Sequence, residues 1–98
     1  MQLSTILAFL QQGETKKYLN QHAIKHLWIV GSFARGNETE DSDIDIMVDI
    51  DEQKLTTDYF SLPRYLEQKL GRPIDLIDKD YINIHVKPSL LSSSVLVW

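Results

Sequence analysis

The first apolar pattern in the chain is helical. Leu3, Ile6, Leu7 and Leu10 recur at three- and four-residue spacing, and Gly13 makes a stop. Glu14 to His22 then carry a second short helix, or continue the first after a kink. The period changes at "IKHLWIV", residues 24–30, an apolar run that ends at Gly31 and reads as a buried strand. Ser32 to Arg35 have the length of one helical turn, closed by Gly36, and Asn37 to Ser42 form a polar loop.

From Asp43 the pattern alternates. Ile44, Ile46, Val48 and Ile50 point one way; Asp43, Asp45, Met47, Asp49 and Asp51 point the other. Side chains of a strand alternate between faces, so this segment is predicted to have one apolar face and one acidic face. Thr57 or Asp58 can cap a helix running to Leu70, with Leu62, Leu66 and Leu70 as its stripe and Gly71 as its end. Pro63 falls near its first turn, where proline is tolerated. "PIDLID", residues 73–78, reads as a short third strand, and "SVLVW", residues 94–98, as a terminal one. Tyr81 to Leu91 fit neither period, and Pro88 argues against one smooth helix there. Helix, strand, turn, strand, helix, strand predicts an α+β fold of the α/β-sandwich type, with a small mixed β-sheet flanked by helices.

The length, 98 residues, predicts a single domain over 1–98. A chain of this size hides about two thirds of its unfolded surface on folding. The apolar share of 43% and charged share of 24% are those of an ordinary globular protein. With no cysteine, disulfides and thiolate metal sites are excluded. The N-terminus has no basic region before its apolar run, and that run is short, so no signal peptide is read. No apolar run reaches the ~18 residues of a membrane span, and a cytoplasmic location is expected. Ten basic residues against fourteen acidic ones leave a net charge of -4. That is a poor footprint for direct nucleic-acid binding.

The chemistry concentrates in "GSFARGNETEDSDIDI", residues 31–46. Asp43 and Asp45 are two apart on one strand, so their carboxylates lie side by side and repel unless a cation or a proton intervenes. Carboxylates so placed, completed by water and substrate phosphate, suit Mg²⁺. Asp75, inside the apolar "IDLI", is the candidate third carboxylate, which would let the site hold two ions. Gly31 allows a phosphate to approach the backbone, and Ser32 opens the short helix with a hydroxyl and backbone N–H groups. Arg35, one turn on, can balance phosphate charge. Ser42, next to the aspartates, joins Gly31, Ser32 and Arg35 among the candidate nucleotide-binding residues. A phosphate cradle beside paired carboxylates implies Mg²⁺-assisted phosphoryl or nucleotidyl transfer.

These residues resemble the signature of the nucleotidyltransferase fold, the superfamily of DNA polymerase β: a Gly-Ser, a spacer, then Asp-x-Asp. The ten-residue spacer, Phe33 to Ser42, is similar to that of the minimal nucleotidyltransferases (MNT proteins) that pair with HEPN-domain partners. The resemblance spans about residues 29 to 77. It implies that Gly31 and Ser32 bind a nucleotide triphosphate, that Asp43 and Asp45 hold Mg²⁺, and that Asp75 lies near the acceptor hydroxyl. It further implies an antitoxin that transfers AMP from ATP to a tyrosine of a HEPN ribonuclease toxin. Relatives that modify small molecules usually carry a further acceptor domain, for which this chain has no room. Two alternatives are a non-catalytic module of the same fold that masks its partner, and a nucleotidyltransferase subunit acting on a small molecule.

Other readings compete for the same residues. Asp41, Asp43, Asp45 and Glu52 fall at positions one, three, five and twelve of an EF-hand loop, but Ile46 stands where that loop needs glycine. Asp49 and Asp51 are expected to be solvated, and Asp75 could instead pair with Arg72. His22, His26 and His85 show no ligand spacing. Trp28 is expected in the core. "SSSVLVW" is an edge strand that either closes its own sheet or offers an edge to a partner.

Overall fold

The computed structural model describes residues 1–81 and 93–98. Helix α1 (Leu3–Leu10) buries Ile6 and Leu10, one turn apart, and α2 (Gly13–Gln21) buries Thr15 and Leu19. The two are separate helices, but Gly13 opens α2 rather than ending α1. The break lies at Gln11 and Gln12, whose N–H groups still bond back to Leu7 O (2.9 Å) and Phe9 O (3.2 Å). Gly13 does not adopt the left-handed φ of a helix-ending glycine.

Strand β1 (Ile24–Val30) leads into the short α3 (Gly31–Arg35), and β2 (Ile44–Ile50) follows. Asp43 therefore lies just before the strand, whose pairing starts at Ile44. The predicted long helix is two elements: a 3₁₀ segment Thr57–Ser61 and α4 (Leu62–Leu70). Pro63 dictates this, because a proline without an N–H fits only the first turn of an α-helix. The cap is Thr56, whose side chain accepts from Asp58 N–H at 3.3 Å, not Thr57 or Asp58. Gly71 ends α4 at φ 72°, as expected.

Strands β3 (Ile74–Asp78) and β4 (Val95–Leu96) complete a sheet of order β3-β2-β1-β4. β1 is antiparallel to β2 and to β4; β3 is parallel to β2, joined to it by the α4 crossover. The sheet is mixed and the fold α+β. One face carries the main core, where Ile6, Leu10, Leu19, Leu62, Leu66 and Leu70 meet the inward Leu27, Ile29, Ile44, Ile46, Val48 and Ile74.

The other face is not acidic throughout. Met47, placed by the alternation among the aspartates, is 5% exposed and packs with Val30, Trp28 and Ile77 in a second apolar cluster. Trp28, Met47 and Ile77 are register partners on neighbouring strands, so they form one row across the sheet. Asp49 and Asp51 are half-buried rather than fully solvated. Asp51 caps the turn Glu52–Lys54 by accepting from Gln53 N–H.

The C-terminal segment closes its own sheet. Beyond β4, Val97 N–H donates to Leu27 O and Leu27 N–H to Trp98 O. Trp98 Nε1 donates to Leu10 O at 2.9 Å, and Lys16 Nζ lies 5.5 Å from the Trp98 ring centroid. Residues 79–81 form a helical turn; the rest of the stretch left open in the sequence, including His85 and Pro88, lies outside the described residues. No helix among the described residues is long and apolar enough to cross a membrane.

Candidate active site

The site forms where β1, β2 and β3 place their functional ends together. Gly31 follows the last residue of β1 with φ 71°, a conformation that L side chains rarely adopt. It is buried, and it lies against the neighbouring strand at Asp45, whose Cα is paired with that of Val30. A Cβ on Gly31 would overlap Asp45 Oδ2 and stand 3.1 Å from Cγ. Glycine is thus required twice, by its backbone angle and by the carboxylate beside it. Ser32 is half-buried and Arg35 exposed, and α3 ends at Gly36 with φ 76°.

Asp45 and Asp75 are direct register partners on the parallel strands β2 and β3, with Asp43 two residues before. This is the arrangement expected for the three carboxylates, and their charges are felt. Burial pushes the Asp45 carboxyl above its ordinary range; the carboxylates of Asp75 and then Asp43 push it further, and Arg35 opposes them. Asp43 and Asp75 are exposed. The three do not close into a cage: among the described residues, no group of three acidic or histidine side chains converges tightly enough to hold a metal by itself. The donor set still fits Mg²⁺, a hard cation that takes one or two carboxylates and fills its shell with water and phosphate oxygens. The placing of Asp45 beside Asp75, with Asp43 two residues before, favours a cation, since a positive charge there relieves the crowding of carboxylates.

An EF-hand loop is excluded. Residues 44–50 are extended and bonded to strands on both sides, whereas that loop must wrap around its ion. His22 Nδ1 lies 2.8 Å from Tyr18 O and its ring stacks on Tyr18, while His26 stands beside Trp28.

Ser42 occupies the tight turn before Asp43. Its Oγ accepts from Thr39 N–H at 2.8 Å, and its own N–H donates to Thr39 O at 3.1 Å. The residue that sequence reasoning assigned no part in the site is Arg72. Its Nη1 donates to Ser42 O at 2.9 Å and to Thr39 O at 3.1 Å, and its guanidinium lies 5.4 Å from the Phe33 ring centroid. It therefore grips the loop and α3 rather than pairing with Asp75. The only signal was its place, in "GRPIDLID", next to the strand that carries Asp75.

Comparison with known proteins bears on the family and the fold. Residues 13–98 match the family described as polymerase beta nucleotidyltransferase. A protein of Methanocaldococcus jannaschii provisionally named a protein adenylyltransferase is 43% identical over 86 residues, spanning 84% of this chain and 86% of that one. The protein adenylyltransferase MntA of Thermococcus cleftensis is 32% identical over 82 residues, spanning 84% and 83%. Among solved structures, a chain described provisionally as a minimal nucleotidyltransferase superposes with a TM-score of 0.73 at 26% identity, covering 97% of this chain and 95% of its own. A chain from the crystal structure of a toxin–antitoxin with AMP-PNP shares the fold, with a TM-score of 0.64 at 21% identity over 85% of this chain and 68% of its own.

Proposed function

The chain belongs to the polymerase beta nucleotidyltransferase family, and on that premise we propose that it is a Mg²⁺-dependent protein adenylyltransferase. In this reading it is an antitoxin that moves AMP from ATP onto a hydroxyl, a tyrosine, of a HEPN-type ribonuclease toxin. The observation that carries the proposal is the Asp45–Asp75 register pair, with Asp43 beside it and the Gly31–Ser32 turn packed against Asp45. Relatives named as protein adenylyltransferases support the acceptor class, and the shared fold of a toxin–antitoxin chain supports a toxin partner.

The residues have separate tasks. Gly31 and Ser32 receive the triphosphate at the start of α3, with Arg35 and Ser42 at the two ends of the loop that borders it. Asp43 and Asp45 are the residues that would hold Mg²⁺, which when bound would supply positive charge to offset that of the triphosphate and of the pyrophosphate leaving group. Asp75, exposed on the edge strand β3, faces the incoming acceptor. The acceptor oxygen forms a bond to the α-phosphorus, the bond from that phosphorus to the bridging oxygen breaks, and pyrophosphate leaves. The hydroxyl proton passes to Asp75.

The test uses the intact protein with labelled ATP, Mg²⁺ and the product of the neighbouring gene, and weighs the partner by mass spectrometry. A gain of one AMP that vanishes in Asp43→Ala/Asp45→Ala is the expected result. Neutralisation of the partner by that double variant, with no mass gain for the wild type, overturns the catalytic reading in favour of masking.

A further inference from the structure

Asp43 precedes the β2–β3 ladder, yet it is fixed from both sides by the two residues that lead into β3. On one side Ser42 O accepts from Arg72 Nη1 at 2.9 Å; on the other, Ile44 N–H donates to Pro73 O at 2.9 Å. The same Nη1 reaches Thr39 O, the acceptor that closes the turn before Ser42. The guanidinium also lies over Phe33, the 1%-exposed anchor of α3. One half-buried side chain thus touches the helix that begins with Gly31 and Ser32, the turn at 39–42, and the peptide that carries Asp43. Its own backbone leads, three residues on, to Asp75.

We propose that Arg72 is a positioning residue: it sets the direction of Asp43 relative to Asp45 and Asp75 without touching nucleotide or acceptor. The inference rests on the reading of this site as one of nucleotidyl transfer. The chemistry suits arginine. One Nη carries two hydrogens and bridges two carbonyls, while the flat guanidinium covers an aromatic ring. Lysine keeps the charge and donors but not the flat face. Without these bonds, Asp43 is an exposed carboxylate at the end of a polar loop, repelled by Asp45, and it swings away. A displacement of about 1 Å in a group that orients substrate lowers a rate by about a hundredfold.

The test compares the wild type with Arg72→Met, which keeps the aliphatic stem, and Arg72→Lys. Three quantities are measured on the full chain: amide exchange at residues 39–43, affinity for Mn²⁺ as a spectroscopic substitute for Mg²⁺, and kcat and KM for AMP transfer. Arg72→Met is expected to speed exchange in the loop, weaken Mn²⁺, and lower kcat about tenfold to a hundredfold with little change in KM for ATP. Arg72→Lys should fall between, and free guanidinium should restore part of the loss in Arg72→Met. Faster exchange with unchanged kcat and Mn²⁺ affinity overturns the proposal, since Arg72 then only braces a loop. A loss confined to KM also overturns it, because that marks a nucleotide contact. If the wild type transfers no AMP, the functional reading fails. The Arg72 inference is then decided by Mn²⁺ affinity alone: weakened in Arg72→Met sustains it, unchanged overturns it. If Arg72→Met does not fold, Arg72→Lys carries the same measurements.

Discussion

Gly31 and Asp45 are fitted to each other: the glycine Cα lies where any side chain would overlap Asp45 Oδ2 and crowd its Cγ and Cβ, at 3.1 and 3.3 Å. The Gly31 turn and the Asp45 carboxylate are therefore one packed unit, not two motifs that happen to be near. Glycine at this position serves Asp45 as well as any approaching phosphate.

Gly31→Ala should then damage both stability and transfer. The left-handed φ alone costs a non-glycine residue about 1–2 kcal/mol, and the overlap adds to it by driving Asp45 from its seat. The measurement is a double-mutant cycle by denaturant unfolding. Gly31→Ala should cost less in an Asp45→Ala background, which has no Oδ2 to strike, with a coupling of about 0.5–3 kcal/mol. Strict additivity would show that the carboxylate does not press on the glycine.

Asp45→Asn should stabilise the metal-free protein at neutral pH while abolishing AMP transfer. The Asp45 pKa is raised in the fold, first by burial and then by Asp75 and Asp43. A raised acid pKa means that the folded state holds its proton more tightly than the unfolded chain. The associated stability is fully present below the unfolded value, near 3.8, and is lost as pH rises through the folded value. At neutral pH the wild type therefore carries an unfavourable charge that asparagine lacks. Thermal unfolding should show the variant ahead at pH 7, with the gap closing as pH falls toward 4. A gap that widened on acidification would contradict the sign. In the proposed mechanism transfer uses the ionised Asp45 carboxylate, so transfer by the wild type should fail over the same descent.

Much of this was legible in the sequence, because the signals that set it are local. The alternation through Ile44, Ile46 and Val48 fixed the strand and its core face, and Gly31-Ser32 followed by Asp43 and Asp45 marked the candidate site, whose residues the fold brings together. What was not legible depends on contacts between distant residues. Met47 sits in the acidic period but is buried, because Trp28 and Ile77 flank it on neighbouring strands. Ala23 takes φ 75° with no glycine to advertise the turn. Arg72 reaches back some thirty residues to the carbonyls of Thr39 and Ser42, and no period or spacing records that.

Asp75→Asn should separate binding from transfer. In the proposed mechanism Asp43 and Asp45 still hold Mg²⁺ in this variant, so the rise in melting temperature on adding Mg²⁺ and ATP should survive in Asp75→Asn and disappear in Asp43→Asn and Asp45→Asn. Saturation at a hundred times Kd corresponds to about 2.7 kcal/mol of stabilisation. The transfer rate of Asp75→Asn should nevertheless fall about 10²–10⁴-fold, the scale of a lost general base. If Asp75→Asn also lost the Mg²⁺-dependent shift, Asp75 would be a necessary metal ligand.

The C-terminal strand offers a test of whether its exposed edge matters to the fold or to a partner. Val97 and Trp98 are tied to Leu27 by backbone bonds, and Trp98 Nε1 to Leu10 O, whereas Leu96 is 58% exposed. Trp98→Phe keeps the ring against α1 but removes the donor and leaves Leu10 O without it, so it should destabilise by about 1 kcal/mol. Leu96→Lys removes no buried contact and should stay within about 0.5 kcal/mol of wild type. Its effect on complex formation is then readable without a stability correction. Calorimetric titration against the proposed toxin partner should show weakened binding if β4 is an assembly edge, since a lysine on an edge strand opposes pairing with another chain. Unchanged binding would assign the segment to closing its own sheet and nothing more, and would move the search for the partner surface to the end of β3, where Asp75 is exposed.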